Sequence, residues 1–290
     1  MTAAAMIAPR RVLLTADELD LLRRLAGDLR LAGDLRLPID FRMEPPRPTP
    51  PGGWSFAGMV GSLRERGLLQ SGPAGSSDPE GMTIHPSVRA NLAVLAAAEA
   101  LVETRLQVGA EGATTQVVRA AHAVAGELGG SLVRLGEAAA VELSIFPAAG
   151  LGAELSRIVP RVGGRDPSAR RPTGIVPLAA LTQLEPAERA GPHMVEQVVA
   201  DLRLGAGELS RARALLARAC GVLQATVLVR PRMAGAPVAF GRVLWLATAD
   251  GWLGLAPEPG PRGDVSVRLQ PVEPEDLGAW LAPLVGQAIL

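Results

Sequence analysis

Lysine and tyrosine are absent from this 290-residue chain, and cysteine occurs once, at Cys220. All 29 basic residues are therefore arginines, and 29 acidic residues balance them to a formal net charge of +0. A neutral chain exerts no global pull on nucleic acid or on an anionic membrane surface. Aromatic residues make up only 3%, a poor composition for stacking bases. One cysteine can neither close an internal disulfide nor build a cysteine metal site, and it fits a reducing compartment. Without lysine no GK[ST] phosphate loop exists. Only three histidines occur, His85, His122 and His193, and none has a second His or Cys at ligand spacing, so no metal and no cofactor are expected. No stretch approaches the roughly 20 apolar residues of a membrane helix. In the opening MTAAAMIAPRRVLL the arginines follow the apolar run, the reverse of signal-peptide order. The expectation is a soluble, cytoplasmic protein with no nucleic-acid partner and no membrane insertion.

The chain is nonetheless 48% hydrophobic and long enough for a substantial core. Arg11–Leu14 reads as an edge strand. Thr15 followed three residues later by Glu18 forms a capping box that opens an amphipathic helix. The hexapeptide LAGDLR then occurs twice, at Leu25–Arg30 and Leu31–Arg36, and reads as a tandem duplication, and MEPPRPTPPGG (Met43–Gly53) as a surface connector. A second helix is expected over Trp54–Leu69, a loop over Ser71–Thr83 and a third helix over Pro86–Ala98. Next comes a strand program, EALVETRLQV, TTQVVRAAHAV, GSLVRLGE and AVELSIFP, with Glu103, Arg105 and Gln107 on one face of its first strand. A helix at Ala148–Val159 follows.

PRVGGRDPSARRPTG, from Pro160, carries almost no apolar residue and is the best candidate boundary. Two helices, His193–Leu204 and Gly207–Gly221, precede a second strand program: VLQATVLVRPR, VAFGRVLWLAT, GWLGLAP and DVSVRLQP. Ala249-Asp250-Gly251 is its clearest turn, and a helix beginning at EPEDL closes the chain. The expected fold is α+β, two pseudo-symmetric halves that each combine an antiparallel four-stranded meander with flanking helices. The expected boundaries are residues 1–160 for the N-terminal half, 161–191 for a linker-like loop region and 192–290 for the C-terminal half, the halves packed as one unit.

Catalytic signatures are scarce. There is no G-x-S-x-G elbow. Gly205-Ala206-Gly207 and Gly150-Leu151-Gly152 are helix boundaries without a preceding strand. His122 reads as a satisfied structural histidine, His85 as a turn marker, and Arg211, Arg213 and Arg218 as a solvated helix face. Cys220, at an expected helix C-terminus, lacks the positive surroundings that lower a thiol pKa. No carboxylate pair stands out as an acid/base couple.

Four segments carry a family likeness: LLTADELDLLRRLAG, the stretch ending RERGLL, IHPSVRANLAVLA, and the tail GRVLWLATADGWLGLAPEPG…VRLQPVEPEDLGAWLAPLV. Together they resemble the EspG family, the cytosolic chaperones of ESX (type VII) secretion in actinobacteria. In that family an LTxDELxLL segment opens the chain, and an xxWLDT strand, a GRYLV-like strand and a terminal helix close it. Here Ala247 replaces the aspartate and Asp250-Gly251-Trp252 replaces Gly-Arg-Tyr. The resemblance implies a two-part α+β fold and a non-catalytic role, holding a PE–PPE-like or other helical-hairpin substrate soluble until export.

On the C-terminal strands, alternation puts Gln224, Thr226, Leu228 and Arg230 on one face. Arg242 and Trp252 lie on neighbouring strands and Arg268 in the polar set of the last one. These seven are the candidate partner-binding residues. Two other readings stand beside this one: an enzyme whose Glu103, Glu142 or Glu258 meets arginine in a deep pocket, and a structural oligomer subunit. A homodimer is compatible with any of them.

Overall fold

The computed structural model describes residues 10–26, 56–71, 82–109, 116–135, 140–163, 173–229, 238–260 and 263–289. The LAGDLR repeat (all but its first two residues), the proline-rich segment and Arg230 lie outside them.

The chain opens with β1 (Arg10–Thr15) and α1 (Ala16–Leu25). The Thr15–Glu18 capping box is present in both directions: Glu18 N–H donates to Thr15 Oγ1 at 3.1 Å, and Thr15 N–H to Glu18 Oε2 at 2.9 Å. Glu18 is itself buried and also accepts from Ser62 Oγ (3.0 Å) and Arg66 (3.1 Å), which lie at and just beyond the end of α2 (Phe56–Glu65). That helix stops earlier than the expected Leu69. Gly67 takes φ +69°, its N–H donates to Arg64 O, and Leu68 N–H donates to Leu63 O, a Schellman closure. Leu69–Ser71 is then a short strand, β2, paired with β3 (Met82–Ile84). In α3 (Pro86–Ala96), His85 is the N-cap, its Nδ1 accepting from Ser87 N–H at 3.2 Å.

The first meander is β4 (Ala100–Val108), β5 (Gln116–Ala125), β6 (Leu128–Leu135) and β7 (Ala140–Pro147), followed by a 3-10 turn and α4 (Leu151–Arg157). The expected linker 161–191 differs from expectation at its far end. Gly174–Pro177 is strand β8, with Val176 fully buried, and Leu178–Ala190 is helix α5. Val176 and Pro177 are buried while Gly174 and Ile175 stay exposed, the pattern of an edge strand whose partner strand supplies the other half of the ladder. Helices α6 (Pro192–Asp201) and α7 (Ala206–Arg218) follow. The last helix before the second meander ends at Arg218, so Cys220 and Gly221 belong to β9 (Ala219–Val229) and not to a helix terminus. Burial raises the Cys220 thiol pKa.

The second meander continues with β10 (Val238–Thr248), β11 (Gly251–Pro259) and β12 (Val265–Val272), then α8 (Leu277–Ile289). The β10–β11 hairpin closes on Ala249 and Asp250, and only Gly251 takes positive φ, at 123°.

All strands but β2 and β3 form one ten-stranded antiparallel sheet in the order β1-β7-β6-β5-β4-β9-β10-β11-β12-β8. The two meanders are joined edge to edge by β4 and β9, from Ala100↔Val229 to Val108↔Gly221. Register then fixes which side chains share a face, because directly opposed residues point the same way.

One face is covered by α4 and α8. Val102, Leu106, Val118, Leu223, Ala225, Trp245 and Trp252 pack there against Leu155, Leu277 and Leu281. Trp245 lies 6.3 Å from Trp252 and 6.0 Å from Trp280, the latter edge-on at 85°. Trp252 Nε1 donates to Pro160 O at 2.8 Å, tying the chain after α4 to the second meander. Helices α4 and α8 cross at Gly152 and Gly278, where a Cβ on Gly278 would sit 2.7 Å from Gly152 Cα.

The opposite face carries two separate helix groups. Helices α1–α3 cover Leu101, Ala121, Ala123, Leu132, Val141 and Leu143 at the β7 end. Helices α5–α7 cover Val176, Leu253, Leu255, Val267 and Leu269 at the β8 end.

Candidate partner-binding surface

Between the two helix groups, the middle of that second face is floored by β4, β9 and the adjoining parts of β5 and β10. Arg105, Gln107, Arg119, Val222 and Arg242 are exposed there, Glu103 and Gln224 are half-buried, and Val117 and Val222 are each 36% exposed. The floor is ordered by cross-strand register. One row reads Arg134–Arg119–Arg105–Gln224–Leu244 from β6 to β10, and the next reads Leu132–Ala121–Glu103–Thr226–Arg242. The second row is thus apolar under α3 and polar where the helices part. Gln224 Nε2 donates to Thr226 Oγ1 at 3.4 Å, which orients the amide along β9. Burial raises the Glu103 carboxyl pKa, against the opposing pull of Arg105. Leu228 packs on the core under α1–α3, and Leu244 and Leu246 on the core under α5–α7, so the floor runs continuously into both.

Of the seven candidate residues, register brings Gln224, Thr226, Leu228 and Arg242 onto this floor. Arg230 lies outside the described residues. Trp252 and Arg268 belong to the other face, which corrects the expected grouping. Trp252 is 1% exposed inside the tryptophan cluster, so it builds the core and cannot grip a partner from the surface. Its neighbours Leu253 and Leu255 point to α5–α7, and period-two alternation then forces Trp252 the other way. Arg268 shares the Trp252 side and pairs with Glu258 at 2.5 Å.

Arg105, Arg119 and Arg134 were not among the candidates. Each strand showed a lone arginine between apolar residues, but their alignment into a row depends on register that no single strand encodes.

The three carboxylates weighed for an enzyme do not converge. Glu103 lies on the open floor and Glu258 pairs with Arg268 on the other face. Glu142 sits under α4 in an ion cluster with Arg157 and Arg11, in which Arg11 also reaches Glu154 at 2.6 Å. Among the described residues no group of three or more His, Cys, Asp or Glu is placed to hold a metal ion, and no helix is long and apolar enough to cross a membrane.

His122 also departs from expectation. It is fully buried beneath α4, and neither ring nitrogen has a hydrogen-bond partner. Burial first, and the Arg157 charge second, lower its pKa to about 3, against a smaller opposing effect of the Glu154 backbone. Its cross-strand neighbours on that face, Ser131 and Ser144, are buried with unpartnered hydroxyls as well.

The architecture is that of an α+β protein built on one large antiparallel sheet with helices on both faces, the centre of one face having no helix over it among the described residues. Among solved structures it is similar to a chain in the structure of the Mycobacterium tuberculosis type VII secretion system chaperone EspG5 in complex with a PE25–PPE41 dimer. The match covers 95% of this chain and 96% of that one, with a TM-score of 0.55 and 14% sequence identity. The chain therefore has the EspG fold. No protein-family model matches the sequence, and no curated protein matches it.

Proposed function

We propose that this chain is a non-catalytic, cytosolic chaperone or adaptor that holds a PE–PPE-like, helical secretion substrate of a type VII system. The observation that carries the reading is the floor of β4 and β9, which no helix covers among the described residues, between two helix groups in a fold shared with a chaperone that binds such a dimer. A floor that mixes exposed valines with arginines and amides suits a helical end that is partly apolar and partly polar. Gln224, Thr226, Leu228 and Arg242 would supply the second meander's share of the contact. The two meanders, with β1 paired to the last strand of one and β8 to the last strand of the other, would be pseudo-symmetric halves whose joint is the binding floor.

Co-expression with any PE–PPE pairs encoded near this gene, and mixing with purified PE25–PPE41, tests the reading by size-exclusion chromatography with light scattering. The expected result is a 1:1:1 complex with at least one such dimer, weakened at least tenfold by Arg242→Glu. A chain that remains alone with all of them refutes the proposal, and the same measurement reports whether it self-associates.

A further inference from the structure

Arg105, Arg119 and Arg134 oppose one another directly on three adjacent strands: Arg105↔Arg119 and Arg119↔Arg134. Like charges in that arrangement repel, because opposed Cβ atoms lie only about 5 Å apart. None of the three forms an ion pair among the described residues, whereas nine other arginines do. In a chain with no net charge, three aligned guanidinium groups, Arg105 and Arg119 exposed and Arg134 half-buried, with Glu103 the one carboxylate beside them among the described residues, mark a place where negative charge is to be received from outside. We propose that this row docks an acidic helix of the protein partner, laid across the strands with carboxylates on one face. The proposal deepens the chaperone reading and rests on it for the identity of the partner class.

The spacing favours a helix. Adjacent strands are about 4.8 Å apart, so the row spans about 10 Å. Carboxylates at positions i, i+3 or i+4, and i+7 of a helix rise by about 10.5 Å over the same stretch, and each can meet a guanidinium in a bidentate pair. The floor disfavours a phosphate backbone. Glu103 stands beside Arg105 on the same face, Val117 and Val222 flank the row, and Trp245 and Trp252 are committed to the opposite core, so the row itself carries no aromatic ring for stacking bases.

The test compares the full chain with its Arg105→Gln/Arg119→Gln/Arg134→Gln variant against three probes. The first is a PE–PPE dimer, measured by calorimetry. The second is a 20-residue helical peptide with Glu at i, i+4 and i+7, alongside a peptide of equal composition with the glutamates spread around the helix. The third is a single-stranded 20-mer oligonucleotide, measured like the peptides by fluorescence anisotropy. The expected result is that the one-faced peptide binds at least tenfold tighter than the scrambled one and than the oligonucleotide. The triple variant should lose that preference and show a flatter dependence of affinity on salt. Its melting temperature should equal or exceed that of the native chain, which separates lost binding from lost folding.

Equal binding of the two peptides, tighter binding of the oligonucleotide, or a triple variant that binds like the native chain overturns the proposal. If the dimer binds the native chain and the variant equally, this inference falls and the chaperone reading stands. If the dimer fails to bind while the one-faced peptide binds through the arginines, the chaperone reading falls and the acidic-helix site stands.

Discussion

Acid should destabilise this protein through a single buried side chain, His122. In the folded chain its pKa is about 3, because burial beneath α4 and the nearby Arg157 both penalise the imidazolium. In the unfolded chain an imidazole titrates near its ordinary value of about 6.5. The folded pKa is thus depressed, the unfolded state binds the extra proton, and stability rises with pH between the two values. The contribution is complete about one pH unit above 6.5 and is lost as pH falls toward 3, at up to about 1.4 kcal/mol per pH unit. From pH 6.5 to 4.5 the loss is about 2.3 kcal/mol, a large part of the roughly 5–15 kcal/mol that holds a domain together. The carboxylates add their own acid dependence, so the informative quantity is a double difference. Urea unfolding of the native chain and of His122→Leu, followed by tryptophan fluorescence at pH 6.5, 5.5 and 4.5, should show the native chain losing about 2.3 kcal/mol more than the variant across the series. Parallel stability curves for the two proteins would refute the argument, as would an imidazole that titrates near 6.5 in the NMR spectrum of the folded chain.

Four further substitutions probe packing and charge. Gly278→Ala should cost about 1–3 kcal/mol in chemical unfolding, because its Cβ meets backbone at Gly152. Gly286→Ala in the same helix meets nothing within 4 Å and should instead stabilise by up to about 1 kcal/mol, measured the same way. Trp252→Ala should cost about 3–5 kcal/mol, as it empties the tryptophan cluster and strands Pro160 O; the melting temperature reports it. Glu103→Gln should raise the melting temperature at pH 7 and much less at pH 4. The folded carboxyl has a raised pKa, so its charge penalises folding only once pH has risen through that value.

Local pattern made much of the architecture readable in advance. Period-two alternation marks the eight meander strands because each has one face on a core, and the Thr15–Glu18 box marks the start of α1 because the cap is chemical and local. Where local chemistry misled, a longer-range partner had overridden it. Strand β8 sits in a proline-, glycine- and arginine-rich stretch whose Val176 is buried by β12 and the helices above it. Residues Ala219–Gly221 continue a helix-like alanine-rich run but are drawn into the β9 ladder with β4 and β10.

The candidate surface divides the same way. Alternation placed Gln224, Thr226 and Leu228 together, since parity within one strand is set by its own geometry. Parity cannot say which face of a sheet the helices will cover, so Trp252 and Arg268 were grouped with side chains on the far side of the sheet. Nor can it align residues on different strands, so the row of Arg105, Arg119 and Arg134 stayed invisible. The sequence by itself determined the eight meander strands and most of the helices, the absence of a phosphate loop, cysteine metal site or catalytic elbow, and the likeness to a chaperone family. Only the tertiary structure decided that β4 and β9 join two meanders into one sheet and that the described helices gather at its two ends on one face. Register and layer packing arise from contacts between distant segments, and no segment carries those contacts alone.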